Sequence, residues 1–146
     1  MSTLTVGLDV GTRTIGLARM DRRTGLAQPW MTLSREGVKT DVRRLKSLLA
    51  TVQGGPVAAL VVGLPLELDG AEGRSCRLAR QVGDALAAAT GLPVVYHDER
   101  YSTVEASRRL YEAGYDSRQQ RDIIDQAAAA VILEDWLASL TPQDPP

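Results

Sequence analysis

The stretch Leu4-Thr-Val-Gly-Leu-Asp-Val-Gly-Thr-Arg-Thr-Ile-Gly-Leu-Ala-Arg-Met20 decides the fold. Leu4, Val6 and Leu8 alternate with Thr5, Gly7 and Asp9, the period of a half-buried strand. Gly11 and Thr12 supply a turn, and Ile15 to Met20 reads as a second strand, paired to the first as a hairpin. An acidic residue thus closes a strand built for burial. A charge there requires a partner. Gly7, on the same face, is expected to leave open space beside the Asp9 carboxylate.

Beyond the hairpin, Trp30 to Leu33 reads as a third strand, with Pro29 at its start suiting a sheet edge. Val38, Val42, Leu45, Leu49 and Val52 recur at helical spacing, with Arg43, Arg44 and Lys46 off that stripe. Gly54, Gly55 and Pro56 end this helix. Ala58 to Gly63 is a continuous apolar run, as expected of a strand covered on both faces. A Pro- and Gly-rich loop, Leu64 to Gly73, leads into a helix over Arg74 to Ala89, closed by Gly91 and Pro93. The amides of that loop are candidates for meeting a phosphate at the helix N-terminus. Pro93 to Tyr96 is a short strand. Ser102 and Glu105 have the spacing of a capping box, which opens a helix ending near Gly114. The last helix runs from about Ser117 to Leu140. The order is that of an α/β sandwich with an antiparallel start and a parallel remainder. No GxGxxG opens a helix after the first strand, so it is not a dinucleotide-binding fold.

The chain has 146 residues, 44% hydrophobic and 24% charged, which suits one domain over residues 1–140 with a frayed tail at 141–146. Cys76 is the single cysteine and His97 the single histidine, which excludes an intrachain disulfide and a Cys/His zinc framework. The start of the chain lacks a secretory pattern, and the longest apolar run, Ala58 to Leu66, is too short for a bilayer. The expectation is a cytoplasmic protein with no membrane partner. Net charge is −1, which argues against a nonspecific basic nucleic-acid coat but leaves room for a local basic face. Lys39 and Lys46 are the only lysines. The other cations are arginines, whose forks suit phosphate oxygens.

Two further acidic positions stand out. Asp98 and Glu99 sit where a short strand hands over to a helix, so Glu99 can face Asp9 across the crevice at the carboxyl ends of the strands. On the last helix Arg118, Arg121, Asp122 and Asp125 fall on one polar stripe. Ile124, Ala127, Ala128, Val131 and Ile132 form the apolar face, its alanines allowing close approach to the sheet. Asp125 lies at the edge of burial. His97 reads as a partly buried structural residue, Trp30 and Trp136 as packing residues, and Tyr101 as packing with stacking on a base as the other option.

Four segments in order resemble the YqgF/RuvX family of ribonuclease-H-like nucleases, over almost the whole chain. They are Gly7 to Ala18, Gly63-Leu-Pro-Leu66 with Asp69-Gly70 and Glu72-Gly73, Asp98-Glu-Arg-Tyr-Ser-Thr-Val-Glu-Ala106, and Ile124-Asp-Gln-Ala-Ala128. The chain departs from the family at Glu67, commonly Asn, and at Ile123, often basic. The resemblance implies a three-layer ribonuclease-H-like α/β fold. Its five-stranded mixed sheet has an antiparallel meander followed by parallel strands, with helices on both faces.

The resemblance also implies a catalytic, metal-holding trio at Asp9, Glu99 and Asp125. The function implied is maturation of the 5′ end of pre-16S ribosomal RNA or, alternatively, Holliday-junction resolution. Oxygen-only ligands favour Mg²⁺ or Mn²⁺. Thr12, Arg13, Arg74, Arg100, Ser102, Thr103 and Arg121 are the candidate substrate-binding residues. The partner is nucleic acid, either structured RNA or branched DNA, and a junction resolvase needs a homodimer to cut two strands symmetrically. A non-catalytic nucleic-acid-binding module is the alternative from another class. Asp9-Val-Gly-Thr12 is also similar to the phosphate motif of sugar kinases and actin-like ATPases, which need two such domains.

Overall fold

The computed structural model describes residues 3–100 and 102–140, with the side chain of Asp122 excepted. Tyr101, Asp122's role and the 141–146 tail lie outside the described residues. Nine elements follow in order: β1 (Leu4–Val10), β2 (Thr14–Asp21), β3 (Leu26–Ser34), α1 (Val38–Thr51), β4 (Val57–Leu64), α2 (Arg74–Thr90), β5 (Val94–Asp98), α3 (Ser102–Glu112) and α4 (Ser117–Leu140). The strands form one sheet in the order β3-β2-β1-β4-β5. β1–β2 and β2–β3 pair antiparallel, and β1–β4 and β4–β5 pair parallel. The five-stranded mixed sheet is therefore the one expected. Among the described residues no helix is long and apolar enough to cross a membrane.

Period-two alternation sorts the strands' side chains onto two faces. Val6, Leu8, Ile15, Leu17, Leu60 and Val62 meet Val42, Leu45, Val82 and Leu86 of α1 and α2. On the opposite face Ala18, Met20 and Val61 meet Ala129, Ile132, Leu133 and Trp136 of α4. α3 packs on the outer side of α4 through Ala106, Ala128 and Val131. Because α4 is sandwiched between sheet and α3, it is apolar on two sides. The single stripe read from sequence mixes these two sides and omits Leu133 and Trp136, which face the sheet.

Several boundaries differ from expectation for definable reasons. β3 starts four residues earlier than expected, and Pro29 lies within it. The register there shifts, Leu17 pairing with Met31 and Ala18 with Pro29, so Trp30 is bulged out on an edge strand. β5 continues through His97 and Asp98, which pair with Gly63 and Leu64 through backbone alone.

α1 is tied to the β1–β2 turn by a buried ion pair. Arg35 Nε meets Asp41 Oδ2 at 2.9 Å, with side chains 8% and 0% exposed. The same guanidinium donates to Gly11 O at 3.1 Å, and the Arg35 amide donates to Arg13 O at 2.8 Å. Burial pushes the Asp41 carboxyl up. The Glu36 amide and Arg35 more than undo this and hold it below the ordinary carboxylate range.

The space beside Asp9 is not open. A Cβ on Gly7 would stand 2.7 Å from Leu133 Cγ and 2.9 Å from Ala129 O, so α4 fills the gap that glycine leaves. Gly16 is tighter still, since its Cβ would lie 2.1 Å from the backbone oxygen of Asp125. Gly16→Ala therefore has to lever the first turns of α4 off the sheet. It should cost about 1–3 kcal/mol or more, as overpacking does. A fall in the urea midpoint at unchanged m-value measures it, and a midpoint equal to the parent's contradicts this seating.

Candidate active site

β1, β4 and β5 all end at one edge of the sheet, and the start of α3 and the first half of α4 close over it. Asp9, the penultimate residue of β1, lies on the α4 face beside Gly7 and is partly buried. Glu99 follows β5 directly. Its amide donates to Leu64 O at 3.0 Å, which places its side chain over the end of β4. Gly63 makes room for it, because a Cβ there would stand 2.5 Å from Glu99 Oε1. Asp125 rides on α4 where that helix presses on Gly16.

Each carboxylate has a distinct setting. Glu99 is 8% exposed, and its Oε2 accepts from Ser102 Oγ at 2.7 Å. Its Oε1 is buried with no hydrogen-bond partner. Asp9 stands close enough to Glu99 and to Asp125 to feel the charge of both. Asp125 Oδ2 accepts a hydrogen bond from Thr14 Oγ1, at the first residue of β2. Burial, then the charge of Asp125, raises Asp9 from the ordinary carboxylate value to about 7. Burial, then the charge of Asp9, raises Glu99 to about 8. The two carboxyls interact, so their titration belongs to the pair.

These residues fit a hard divalent cation. The donor set is oxygen alone, and sulfur and imidazole are distant in function: Cys76 is buried in the α1–α2 core, and His97 Nε2 sits 2.6 Å from Asp135. An orphaned, buried carboxylate oxygen and two carboxyls whose charge is disfavoured by burial and mutual repulsion are what a cation would relieve. As the side chains stand, however, no three Asp, Glu, His or Cys among the described residues form a ready chelating group. Asp9 is the shared neighbour of the other two acids.

The remaining sequence candidates divide into outward and inward groups. Thr12, Arg13, Arg74, Thr103 and Arg121 are exposed. Arg100 pairs with Asp98 at 2.9 Å and donates to Leu68 O at 3.2 Å, pinning the 64–73 loop to the start of α3. Ser102 is buried and turned inward onto Glu99. The capping box does not form, because Ser102 Oγ serves Glu99 and Glu105 serves Arg108 and Arg109. The amides of Leu66, Glu67, Gly70 and Ala71 are taken by turns within their own loop. A cleft of about 540 Å³ opens beside Glu99 and Ser102 without reaching Asp9 or Asp125, and pairs such as Arg109–Glu134 neutralise its wall.

Thr14 is the site residue that sequence reading missed. Its partner lies 111 positions away, and the only local hint is a second threonine in a turn that already has one.

The chain matches the RuvX family, described as Holliday junction resolvase, over residues 3–139. It is 46% identical over 132 residues to a protein of Anaeromyxobacter sp. (strain Fw109-5), covering 90% of this chain and 94% of that one. It is 41% identical over 140 residues to one of Myxococcus xanthus (strain DK1622), covering 96% and 91%. Both are named as candidate pre-16S rRNA nucleases. Among solved structures, T. thermophilus RuvC in complex with a Holliday junction substrate aligns at TM-score 0.52 and 19% identity, covering 96% of both chains. The fowlpox virus Holliday junction resolvase aligns at 0.56 and 9%, covering 94% and 99%. At those identities the likeness shows the fold, which is the ribonuclease-H-like one expected.

The raised carboxyl values dictate a pH dependence. Both groups bind protons more tightly folded than unfolded. Their contribution is therefore fully present below about pH 4 and is lost as pH rises through 7 to 8. Metal-free protein should thus melt at lower temperature at pH 8 than at pH 5. Asp9→Asn should flatten that slope and raise the metal-free Tm at pH 8 by roughly 3–6 °C, on a scale of about 2–4 °C per kcal/mol. Calorimetry in chelator across that range checks both, and parallel pH profiles for the two proteins would refute the paired burial.

Proposed function

The chain belongs to the RuvX family, and from that premise we propose that it is a divalent-metal-dependent nuclease that matures the 5′ end of pre-16S ribosomal RNA. It works in the cytoplasm, where its unpaired cysteine would stay reduced. The observation that carries this reading is the buried, partnerless Glu99 Oε1 set beside Asp9, with Asp125 next in line.

Asp9, Glu99 and Asp125 would hold Mg²⁺ or Mn²⁺. A bound cation of this kind supplies an activated water and neutralises the charge that develops on the phosphoryl oxygens. The chain's own groups do the rest. Asp9 and Glu99 offer two oxygens on a rigid strand end, and the Ser102 hydroxyl fixes the rotamer of Glu99. The Thr14 hydroxyl holds Asp125 toward Asp9. Arg13, Arg74 and Arg121, exposed around this edge, grip backbone phosphates and set register without reading bases. Arg100 and Ser102, with their polar atoms engaged inside the protein, act by holding the site in shape.

The family's description favours a second reading, resolution of four-way DNA junctions, which would require a homodimer. One assay separates the readings. Purified protein is offered a 16S precursor leader RNA and an immobile DNA junction, each with Mg²⁺, with Mn²⁺ and with chelator. Cleavage of the RNA at the mature 5′ end, abolished by chelator, is the expected result. Symmetric cutting of the junction with intact RNA replaces it by the second reading, and binding without cutting of either leaves a non-catalytic module. Asp9→Asn, Glu99→Gln and Asp125→Asn should each lower the rate by at least about 10³-fold, on the scale of lost electrostatic stabilisation. Thr14→Val should cost about tenfold, as one charge-assisted hydrogen bond does, and Thr14→Ser should restore most of it.

A further inference from the structure

Net charge near zero conceals an uneven pairing of cations. Acidic partners occupy Arg23, Arg35, Arg44, Arg80, Arg100, Arg108 and Arg109. Among the described residues nine exposed cations make no ion pair with an acid: Arg13, Lys39, Arg43, Lys46, Arg74 and Arg77, with Arg22 over the Trp136 ring and Arg118 and Arg121 at the start of α4. The first six share one side of the molecule. Lys39, Arg43 and Lys46 stand at i, i+4 and i+7 on α1, one exposed stripe about 10 Å long. Arg74 and Arg77 open α2, which packs beside α1 on the same face of the sheet. Arg13 sits in the β1–β2 turn, bonded through its carbonyl to Arg35, three residues before α1 begins.

Of the acids beside this face, Glu36 meets Arg44 and Glu72 meets Arg80. Asp41 is the only acid in α1, and it is fully buried against Arg35. Asp84 of α2 is exposed and accepts from the Tyr96 hydroxyl. Topology sets the direction of the stripe. Thr14 pairs with Ser34, so β3 ends at the edge of the sheet where Asp9 lies, and α1 starts there and runs away from it. Unpaired positive charge thus leads from the turn beside the carboxylates down one helix. None of the large exposed hydrophobic side chains lies on α1 or α2, so the face lacks the apolar anchors of a protein interface or a membrane-inserting helix. A polyanion is the partner that this chemistry fits.

We propose that the outer face of α1, with the start of α2, is a track for the sugar-phosphate backbone of the RNA substrate on the flank of the cut. Lys39, Arg43 and Lys46 are its distal contacts. The inference rests on the nuclease reading above, since it assumes RNA in the Asp9 site. The contacts would add affinity and orientation and carry no sequence information.

The test uses full-length protein bearing Asp9→Asn, so that RNA is bound and not cut. Fluorescence anisotropy on labelled leader RNA from 50 to 300 mM KCl gives the slope of log K against log salt. Adding K39Q, R43Q and K46Q together should lower that slope by about 2–3, at roughly 0.7–0.9 per released phosphate contact. Affinity at 100 mM KCl should fall at least about tenfold. The charge-preserving set K39R, R43K and K46R should keep the parental slope. R23Q, in the β2–β3 turn at the far end of the sheet, should also keep it.

An unchanged slope in the triple Gln variant, with the parent binding normally, overturns the track and leaves the nuclease reading standing. No binding by the parent overturns both. A slope change on a four-way DNA junction but not on RNA reassigns the face and overturns the commitment to RNA. Equal loss in the charge-preserving set also overturns it, because shape and not charge would then be at work.

Discussion

The structure depends on one close approach, that of α4 lying with almost no spacing on the glycine-bearing face of the sheet. Gly7, Gly16 and Gly63 come from three adjacent strands, and at each a single added carbon would collide with α4 or with Glu99. Packing of this kind is usually argued for its energy. Here it also fixes position. Asp125 is brought near Asp9 because the backbone that bears it rests on Gly16, and Glu99 fits because Gly63 yields its volume. A sheet with ordinary side chains on this face would push α4 outward by roughly the thickness of a methyl group, and the three acids would no longer share a locus.

Such convergence is electrostatically unfavourable, and the site shows how it is contained. Burial and the repulsion between Asp9 and Glu99 raise both carboxyls, so each takes up a proton more readily than an ordinary carboxylate. Hydroxyls, not cations, restrain the two flanking acids: Ser102 on Glu99 and Thr14 on Asp125. An arginine in either place would have satisfied the carboxylate permanently. A neutral donor fixes the rotamer yet leaves the negative charge in force, which is the condition under which a metal ion is attracted.

Much of this was legible in the sequence, and what was not has physical reasons. The alternation of Leu4 to Asp9 and the apolar run at Ala58 to Gly63 specified strands because burial imposes their periods. The antiparallel start and parallel remainder followed from the sequence of elements, while the five-stranded sheet was implied by the family resemblance. The acids at 9, 99 and 125 drew notice as charges at the margins of apolar segments. The meaning of Gly7 did not transfer. An absent side chain reads as space, and only the partner element shows whether the space is filled. Ser102 with Glu105 matched a helix-capping pattern, but a buried carboxylate three residues upstream competed successfully for the hydroxyl. Thr14 could not be read at all, since its partner comes from the opposite end of the chain. The two-sided burial of α4 was misread as one stripe because the pattern of one helix does not reveal how many neighbours it has.

The Arg35–Asp41 pair has a consequence for how this protein can change over time. Its charges are in the interior and hold three things at once: α1, the Gly11 carbonyl and each other. Losing either alone strands the other away from water, at a cost of about 3–5 kcal/mol, comparable to much of a small domain's whole stability. Substitutions at these positions are therefore viable only jointly, as an exchange for two neutral residues of matching volume. The two sites should drift as a linked couple and not as independent letters, and the hairpin turn they anchor inherits that conservatism.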